Sequence, residues 1–321
     1  MEESFSSIGR VEAIRRLFEN SGYEPFAEPL DFMSSSGGRR CSASRLLLEG
    51  ADFNLEYFPL KHLGYKAVVA VTGELLSSLS RPKCLSLTLG VSSKLDFPQI
   101  SQFWQGVVYA AKEFSYQSLS LSLEPSRNGL AISISSLGEK GGVDELIRPN
   151  AKSKDLICVS GRLGAAYLGE QVLEKKRDSL EKYKMLVGAY IKPELDPCMV
   201  DNILNSTIRP SRGYFVTRGL ADAVLRLTRD TALGAKIYAD KIPFEGGSFT
   251  LGKELDIDPI SAAMNGGDDM CLLYTVPIEK FELFRRDFQT FSVIGHLAQS
   301  DVGAVLVTPD SLEHSISAQG W

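Results

Sequence analysis

The chain has 321 residues, of which 44% are hydrophobic and 23% are charged, and its formal net charge is -5. This length exceeds one average domain, so we expect two domains with substantial cores. No apolar run approaches the ~20 residues of a membrane span, the polar N-terminus is unlike a signal peptide, and the net negative charge argues against nucleic acid as a partner. The composition therefore predicts a cytoplasmic protein that engages neither membrane nor nucleic acid.

The first half of the chain alternates helical and extended patterns. Apolar residues at helical spacing over 8–18 predict an opening helix. Residues 46–48 are typical of a strand, and residues 60–79 of a long helix that Arg81-Pro82 would end. This half is expected to be mixed α/β.

The pattern continues with a strand at 84–91 and a helix at 98–114 that Asp96 would cap. Leucines and isoleucines then alternate with serines over 119–123 and again over 130–134. This alternation across a short turn predicts a hairpin and therefore antiparallel pairing.

The second half repeats an α/β pattern after a polar break at 148–155, where we place the domain boundary. The expected domains are 1–150 and 151–321. The predicted strands are 156–159, 214–216, 236–238, 270–276, 293–294 and 304–307, and the predicted helices begin near 165 and cover 199–204, 220–231 and 278–288.

The cysteines and histidines give no sign of a metal centre or of a disulfide framework. The five cysteines are scattered and lie mostly in apolar runs, so we expect them to be core residues. The three histidines are far apart and lack the spacing of metal ligands.

Residues 262–276 are the most informative segment, because Gly266 and Gly267 lead two carboxylates, Asp268 and Asp269, into an apolar strand. Glycines allow a close backbone approach to a ligand, whereas acids are costly where a strand becomes buried. A turn capped by the aspartates is the alternative.

This segment resembles the Gly-Gly-Glu/Asp-Asp motif of thiamine-monophosphate kinases. Residues 63–67, 146–155 and 156–161 resemble further motifs of that family in the same order. The resemblance implies a two-domain PurM-like α/β (α+β) fold, with an N-terminal mixed α/β dimerisation domain on the nucleotide side, a C-terminal α/β sandwich, and a homodimer. It also implies a kinase that uses ATP and Mg²⁺, since carboxylates hold the metal that neutralises the phosphates.

The chain departs from the family pattern at most of the implied metal ligands. Arg45 and Arg218 stand where the resemblance implies aspartates, and Phe215 replaces another acid. Glu74 and Glu124 keep a carboxylate, so we predict that they are the remaining metal ligands. A cation in place of a metal ligand repels the metal, so the sequence predicts an incomplete metal site.

The other implied site residues fall into two groups. Arg45, Arg148, Thr217 and Arg218 are predicted to bind nucleotide or phosphate, because guanidinium groups suit phosphate oxygens. Asp268 and Trp321 are predicted to contact the thiamine part of a substrate, while Asp269 is expected to be structural. Simple decay of the site is the alternative reading of the arginines, and Arg148 can also be a solvated linker residue.

The sequence is compatible with three functions. The first is a thiamine-monophosphate-kinase-like protein that binds a nucleotide or thiamine phosphate with impaired or lost phosphoryl transfer. The second is an active ATP- and Mg²⁺-dependent kinase of thiamine diphosphate biosynthesis. The third is a dimeric interaction scaffold without a ligand.

Overall fold

The computed structural model describes residues 39–141 and 148–318, the backbone of 30–33, and the single positions 12, 15, 16 and 19. The apolar residues of the predicted opening helix, Ile8, Val11, Ile14, Leu17 and Phe18, lie outside these residues, as does Trp321.

Helices and strands alternate along the described residues, which confirms the predicted mixed α/β class. The α-helices are α1 (Leu60–Ser77), α2 (Phe97–Glu113), α3 (Ala165–Lys175), α4 (Lys184–Ile191), α5 (Met199–Asn205), α6 (Leu220–Thr231), α7 (Ser248–Leu255), α8 (Pro259–Asn265) and α9 (Phe281–Asp287). The strands are β1 (Leu30–Met33), β2 (Arg39–Leu48), β3 (Ser80–Ser92), β4 (Ser118–Ser126), β5 (Ala131–Lys140), β6 (Leu156–Ser160), β7 (Arg212–Val216), β8 (Gly234–Tyr238), β9 (Cys271–Val276), β10 (Phe291–Ala298), β11 (Ala304–Val307) and β12 (Glu313–Ser315).

Internal contacts divide the chain into two compact units. The first unit consists of Glu28–Ile147 and Gln171–Thr207, and the second of Met1–Ala27, Arg148–Glu170 and Ile208–Trp321. The assignment of separate functional domains to 1–150 and 151–321 stays a prediction.

The first unit is built on a five-stranded sheet in the order β1-β2-β5-β3-β4. Helices α1 and α2 pack together, and α1 contacts β2, β3 and β5. Because α1 is enclosed on nearly all sides, the residues from Leu63 to Ser77 are buried, including the polar Lys66 and Glu74. An all-round buried helix of this kind carries its polar groups into the core, where they need partners.

The predicted hairpin between the fourth and fifth strands is wrong. Strand β4 pairs in parallel with β3 at the edge of the sheet, and β5 inserts between β2 and β3, antiparallel to both. The two strands share the alternation of a half-buried sheet, but this alternation does not specify which neighbour a strand pairs with.

The expected end of the first long helix at Arg81-Pro82 is also wrong. Helix α1 ends at Ser77, and Arg81 and Pro82 lie inside β3, next to a register shift between Pro82 and Cys84. Proline lacks the amide that a strand ladder requires, so it is tolerated at such an irregularity. The predicted Asp96 cap of α2 is confirmed, since its side chain accepts a hydrogen bond from Gln99 N at 2.9 Å.

Two glycines allow α1 and α2 to cross closely. A Cβ atom on Gly64 would lie 2.0 Å from the Phe103 carbonyl oxygen, and one on Gly106 would lie 1.8 Å from that of Lys61. No real Cβ contact is this short, so the crossing depends on the absence of both side chains.

The second unit contains a seven-stranded sheet in the order β12-β11-β8-β10-β6-β9-β7. Its pairs are antiparallel except for β8 with β11. An apolar core joins one face of this sheet to α6 and α8, and its buried members include Val159, Leu227, Ile237, Ala263 and Leu273. Within the described residues, no helix is both long and apolar enough to cross a membrane.

Candidate functional site

Arg45 and Glu74 form an ion pair in the first unit, although the sequence predicts a phosphate-binding role for the arginine and a metal-binding role for the glutamate. Arg45 lies on β2 opposite the buried Ile134 of β5, so its side chain points to the face of the sheet that α1 covers. Its Nη2 atom is 3.9 Å from Oε1 of Glu74 on α1, and the two side chains are 10% and 3% exposed. The alternation of β2 directs the Arg45 side chain toward α1, and the burial of α1 places the Glu74 carboxylate beside it.

This ion pair determines how well the site fits a divalent cation. A carboxylate buried in α1 requires a positive charge nearby, and the guanidinium of Arg45 supplies it. A Mg²⁺ ion at Glu74 would meet the Arg45 charge at short range, where like charges repel by several kcal/mol even at a moderate effective dielectric. The residues around Glu74 therefore do not fit the magnesium that the sequence motifs imply.

Glu124 lies in a different environment from Glu74. It is exposed on β4, the edge strand, and accepts a hydrogen bond from Ser122 Oγ at 3.3 Å. In the part of the chain that the structure describes, no three His, Cys, Asp or Glu side chains come together as a metal-binding group. The assignment of Glu74 and Glu124 as metal ligands stays a prediction from the sequence.

Three of the other predicted residues meet in the second unit. Thr217 and Arg218 occupy the turn between β7 and α6, and Asp268 lies in the turn between α8 and β9. The backbone N–H of Asp268 donates to the Thr217 carbonyl at 2.8 Å, which joins the two turns. Thr217 is buried, whereas Arg218 and Asp268 are half-buried.

Glycine at position 219 makes this junction possible. Gly219 has φ of +89°, and a Cβ atom there would lie 2.3 Å from the Met264 carbonyl oxygen. Both the backbone conformation and the available space exclude a side chain. The turn that carries Thr217 and Arg218 is thereby held against the end of α8.

Asp269 has a structural role, as the sequence analysis expects. Its carboxylate accepts hydrogen bonds from Gly164 N at 2.7 Å and Ala166 N at 3.2 Å, and so satisfies amides at the start of α3. Desolvation raises the pKa of Asp269 to about 7, although these amide hydrogen bonds oppose the shift. The carboxylate links the α8–β9 turn to the N-terminus of α3.

A buried ion pair that the sequence reasoning missed supports the strand before Thr217. Arg226 Nε lies 3.0 Å from Asp222 Oδ2, and Arg226 Nη2 donates to the Phe215 carbonyl at 2.9 Å. Phe215 itself is fully buried in the core. An i,i+4 spacing of Asp and Arg on α6 was the available signal, but it did not show that the pair is buried.

The remaining predicted residues are placed elsewhere or are not described. Arg148 is half-buried, and its charge opposes the rise that burial causes in the pKa of Tyr274 on β9. Trp321 lies outside the described residues. The structure thus brings Arg45 to Glu74 within one unit, and Thr217 and Arg218 to Asp268 within the other.

Comparisons with known proteins find sequence similarity to thiamine-monophosphate kinases along nearly the whole chain. No family model matches the chain. The thiamine-monophosphate kinase of Pyrococcus horikoshii is 25% identical over 317 residues, covering 97% of this chain and 94% of the relative. That of Aquifex aeolicus is 21% identical over 284 residues, covering 88% and 89% of the two chains.

The solved structures that resemble the chain have the predicted fold. AaThiL complexed with AMPPCP and TMP matches with a TM-score of 0.83 and 20% identity, over 100% of this chain and 99% of that one. E. coli HypE, a hydrogenase maturation protein, matches with a TM-score of 0.69 and 14% identity, over 96% and 97% of the chains. Both the PurM-like two-domain fold and the sequence similarity relate the chain to the thiamine-monophosphate kinases.

Proposed function

We propose that this protein binds a nucleotide or a thiamine phosphate and that its phosphoryl transfer is impaired or lost. The observation that carries the proposal is the ion pair between Arg45 and Glu74. Phosphoryl transfer normally depends on metal ions that neutralise the phosphates. Here a fixed guanidinium takes the position next to the carboxylate that would otherwise help to hold such an ion.

Arg45 retains the capacity to contact a phosphate. A guanidinium has five N–H donors in a planar fork that suits phosphate oxygens. In the second unit, Arg218 and Thr217 are the predicted phosphate-binding residues, and the half-buried Asp268 is the predicted contact to thiamine. The kinase relatives and the AMPPCP and TMP complex of AaThiL support the choice of a nucleotide or thiamine phosphate as ligand.

A thermal unfolding assay of the full chain tests this proposal. ATP, ADP, thiamine monophosphate and thiamine diphosphate are added in EDTA and, separately, in excess Mg²⁺. A ligand that binds the folded state raises the unfolding temperature. We expect ATP or a thiamine phosphate to stabilise the protein in EDTA, and stabilisation that requires Mg²⁺ would contradict the proposal.

Two substitutions assign the effect to residues. Arg45→Lys keeps a positive charge beside Glu74 but removes the planar donor pair, and Arg218→Ala removes the second guanidinium. Each is expected to weaken the stabilisation by ligand. Arg285→Ala is the matched control, because this arginine is exposed and pairs only locally with Glu282.

The second candidate function is an active ATP- and Mg²⁺-dependent thiamine-monophosphate kinase. It is supported by the names of the relatives and by their near-complete coverage of the chain. In this case Glu74 and Glu124 would supply carboxylates for a metal, and Asp268 would contact the substrate. Formation of thiamine diphosphate from ATP and thiamine monophosphate by the purified protein would establish this activity and exclude lost transfer.

We also propose a homodimer in the cytoplasm. The open face of the five-stranded sheet carries the exposed side chains of Leu46 and Leu48 among hydroxyl groups, which is a surface suited to another copy. All five cysteines are free thiols, as is usual in a reducing compartment. A single monomer mass in light scattering would count against the dimer, and a dimer without ligand response would favour the scaffold function.

A further inference from the structure

Three turns of the second unit meet at one edge of its seven-stranded sheet. Strand β9 lies between β6 and β7 and is antiparallel to both, so the ends of β6 and β7 lie at the same edge as the start of β9. The register agrees with this placement, because Cys271 pairs with Val216 and Leu272 N donates to Ser160 Oγ at 2.8 Å. The β6–α3, β7–α6 and α8–β9 turns therefore lie side by side.

The β6–α3 turn is bonded twice to the neighbouring α8–β9 segment. The Cys271 thiol donates to the Arg162 carbonyl oxygen at 3.7 Å, and the Asp269 carboxylate accepts from Gly164 N at 2.7 Å. The α8–β9 turn is in turn bonded to the β7–α6 turn by the backbone hydrogen bond described above. Arg162 is thereby placed beside both of the turns that carry predicted binding residues.

The backbone amides at the start of α3 already have a partner. A helix that follows a glycine-containing turn commonly binds phosphate through its free N-terminal amides. Here the buried Asp269 carboxylate accepts from Gly164 N and Ala166 N and so occupies that position. Within the turn at 161–164, the group that suits a phosphate is the guanidinium of Arg162, which is its charged side chain.

The guanidinium of Arg162 is exposed and keeps its donors for a ligand. Among the residues that the structure describes, it makes no hydrogen bond and no ion pair. Other exposed arginines, such as Arg177 and Arg285, form ion pairs with glutamates. An arginine without a carboxylate partner retains five N–H donors and a full positive charge, which are the properties that an oxyanion requires.

We propose that Arg162 is a further phosphate-binding residue and acts together with Arg218 on the phosphate of the ligand. Two guanidiniums supply two positive charges and paired donors that match phosphate oxygens, so they offset the charge of a phosphate without a metal ion. The inference rests on the proposed function, because it adds a residue to the same site. It favours a ligand with a dianionic phosphate group, since the two arginines balance two negative charges.

Calorimetric titration of the full chain with pyrophosphate in EDTA tests the assignment. Arg162→Ala is expected to weaken binding about three- to tenfold, the size of a partly exposed charge-assisted contact. Arg162→Lys should regain part of this loss, because lysine keeps the charge but not the planar donor pair. Arg285→Ala, an exposed arginine of the same unit, is the matched control and should bind as the natural protein does. Equal affinities of Arg162→Ala and Arg285→Ala would overturn the proposal.

Asp268→Asn provides a test of opposite sign. The half-buried carboxylate of Asp268 lies at the same edge of the sheet, so removing its negative charge should strengthen the binding of pyrophosphate. Asparagine tolerates the φ of +61° at this position, so the turn should keep its conformation. Weaker binding of pyrophosphate by Asp268→Asn would contradict a phosphate beside this turn.

The same titrations separate the failure of this inference from the failure of the proposed function. A natural protein that binds neither pyrophosphate, ATP nor a thiamine phosphate in EDTA would refute both. Weaker pyrophosphate binding in Arg218→Ala but not in Arg162→Ala would leave the phosphate site in place and refute only the role of Arg162. Unchanged unfolding temperatures of the ligand-free Arg162 variants would show that any loss of binding does not come from unfolding.

Discussion

The guanidinium of Arg45 lies 3.9 Å from the carboxylate of Glu74, and both side chains are almost fully buried. In such a pair each charge is tolerated because the other is present, so removing one partner is more damaging than removing both. This asymmetry provides a test that does not require knowledge of the ligand.

We expect Arg45→Met to lower the free energy of unfolding by about 3 kcal/mol, because it leaves the Glu74 charge buried without its guanidinium. The double variant Arg45→Met with Glu74→Leu should regain most of this loss. Urea unfolding of the single and double variants measures the coupling. Additive effects in the double variant would show that the two groups are not energetically coupled.

Replacing the positive charge at position 45 by a negative one should create a site for a divalent cation. The natural residues around Glu74 do not fit such a cation. Arg45→Asp places a second carboxylate opposite Glu74, and Mg²⁺ or Mn²⁺ can be held by one or two carboxylates together with water. We expect Mn²⁺ to raise the unfolding temperature of this variant but not that of the natural protein. Arg45→Asn, which is similar in shape but uncharged, is the control and should not respond. Equal stabilisation of the natural protein would refute the explanation.

The Asp269 carboxylate should make stability depend on pH. Its pKa is raised from 3.8 to about 7 in the folded state, so the folded protein binds more protons than the unfolded chain between these values. The contribution of Asp269 to the free energy of unfolding is therefore fully present below the pKa that this residue has in the unfolded chain, and it is lost as the pH rises through about 7. We expect Asp269→Asn to remove this decline.

The measurement for Asp269 is the difference in unfolding free energy between the natural protein and Asp269→Asn from pH 5 to pH 8. A comparison by difference is needed because burial also raises the pKa of Asp155. Asp258→Asn, at the exposed N-cap of α8, reports the effect of removing the charge of a capping aspartate alone, because asparagine also caps a helix. A difference that does not vary with pH would contradict the buried carboxylate as its source.

Replacement of glycine by alanine should have opposite effects on stability at Gly106, in the α1–α2 crossing, and at Gly188, on α4. Gly106→Ala would place a Cβ atom 1.8 Å from the Lys61 carbonyl oxygen, so the helices must separate. We expect a loss of about 2–3 kcal/mol in stability. Gly188→Ala on α4 meets no atom within 4 Å and should be stabilising by about 0.5–1 kcal/mol, because alanine is the better helix former. Thermal or urea unfolding compares the two, and similar effects at both positions would show that the crossing is not closely packed.

Elements that depend on local periodicity and capping were predictable from the sequence. Helix α6 begins and ends at the predicted residues, Leu220 and Thr231, and the start of α2 follows from Asp96 and Pro98. The order of motifs along the chain likewise indicated the family. These features are encoded by residues that are close in sequence, so their signal does not depend on the rest of the fold.

The partners of strands and charges were decided only by the tertiary structure. Nothing in the alternation of β4 and β5 excluded a hairpin, because a strand pattern defines a buried face and not a neighbour. Arg45 and Glu74 were predicted separately as a phosphate ligand and a metal ligand, and only the packing of β2 against α1 makes them an ion pair. Contacts between residues distant in sequence arise when the core forms, and this is why the sequence identified the charged residues but not the pairing that neutralises them.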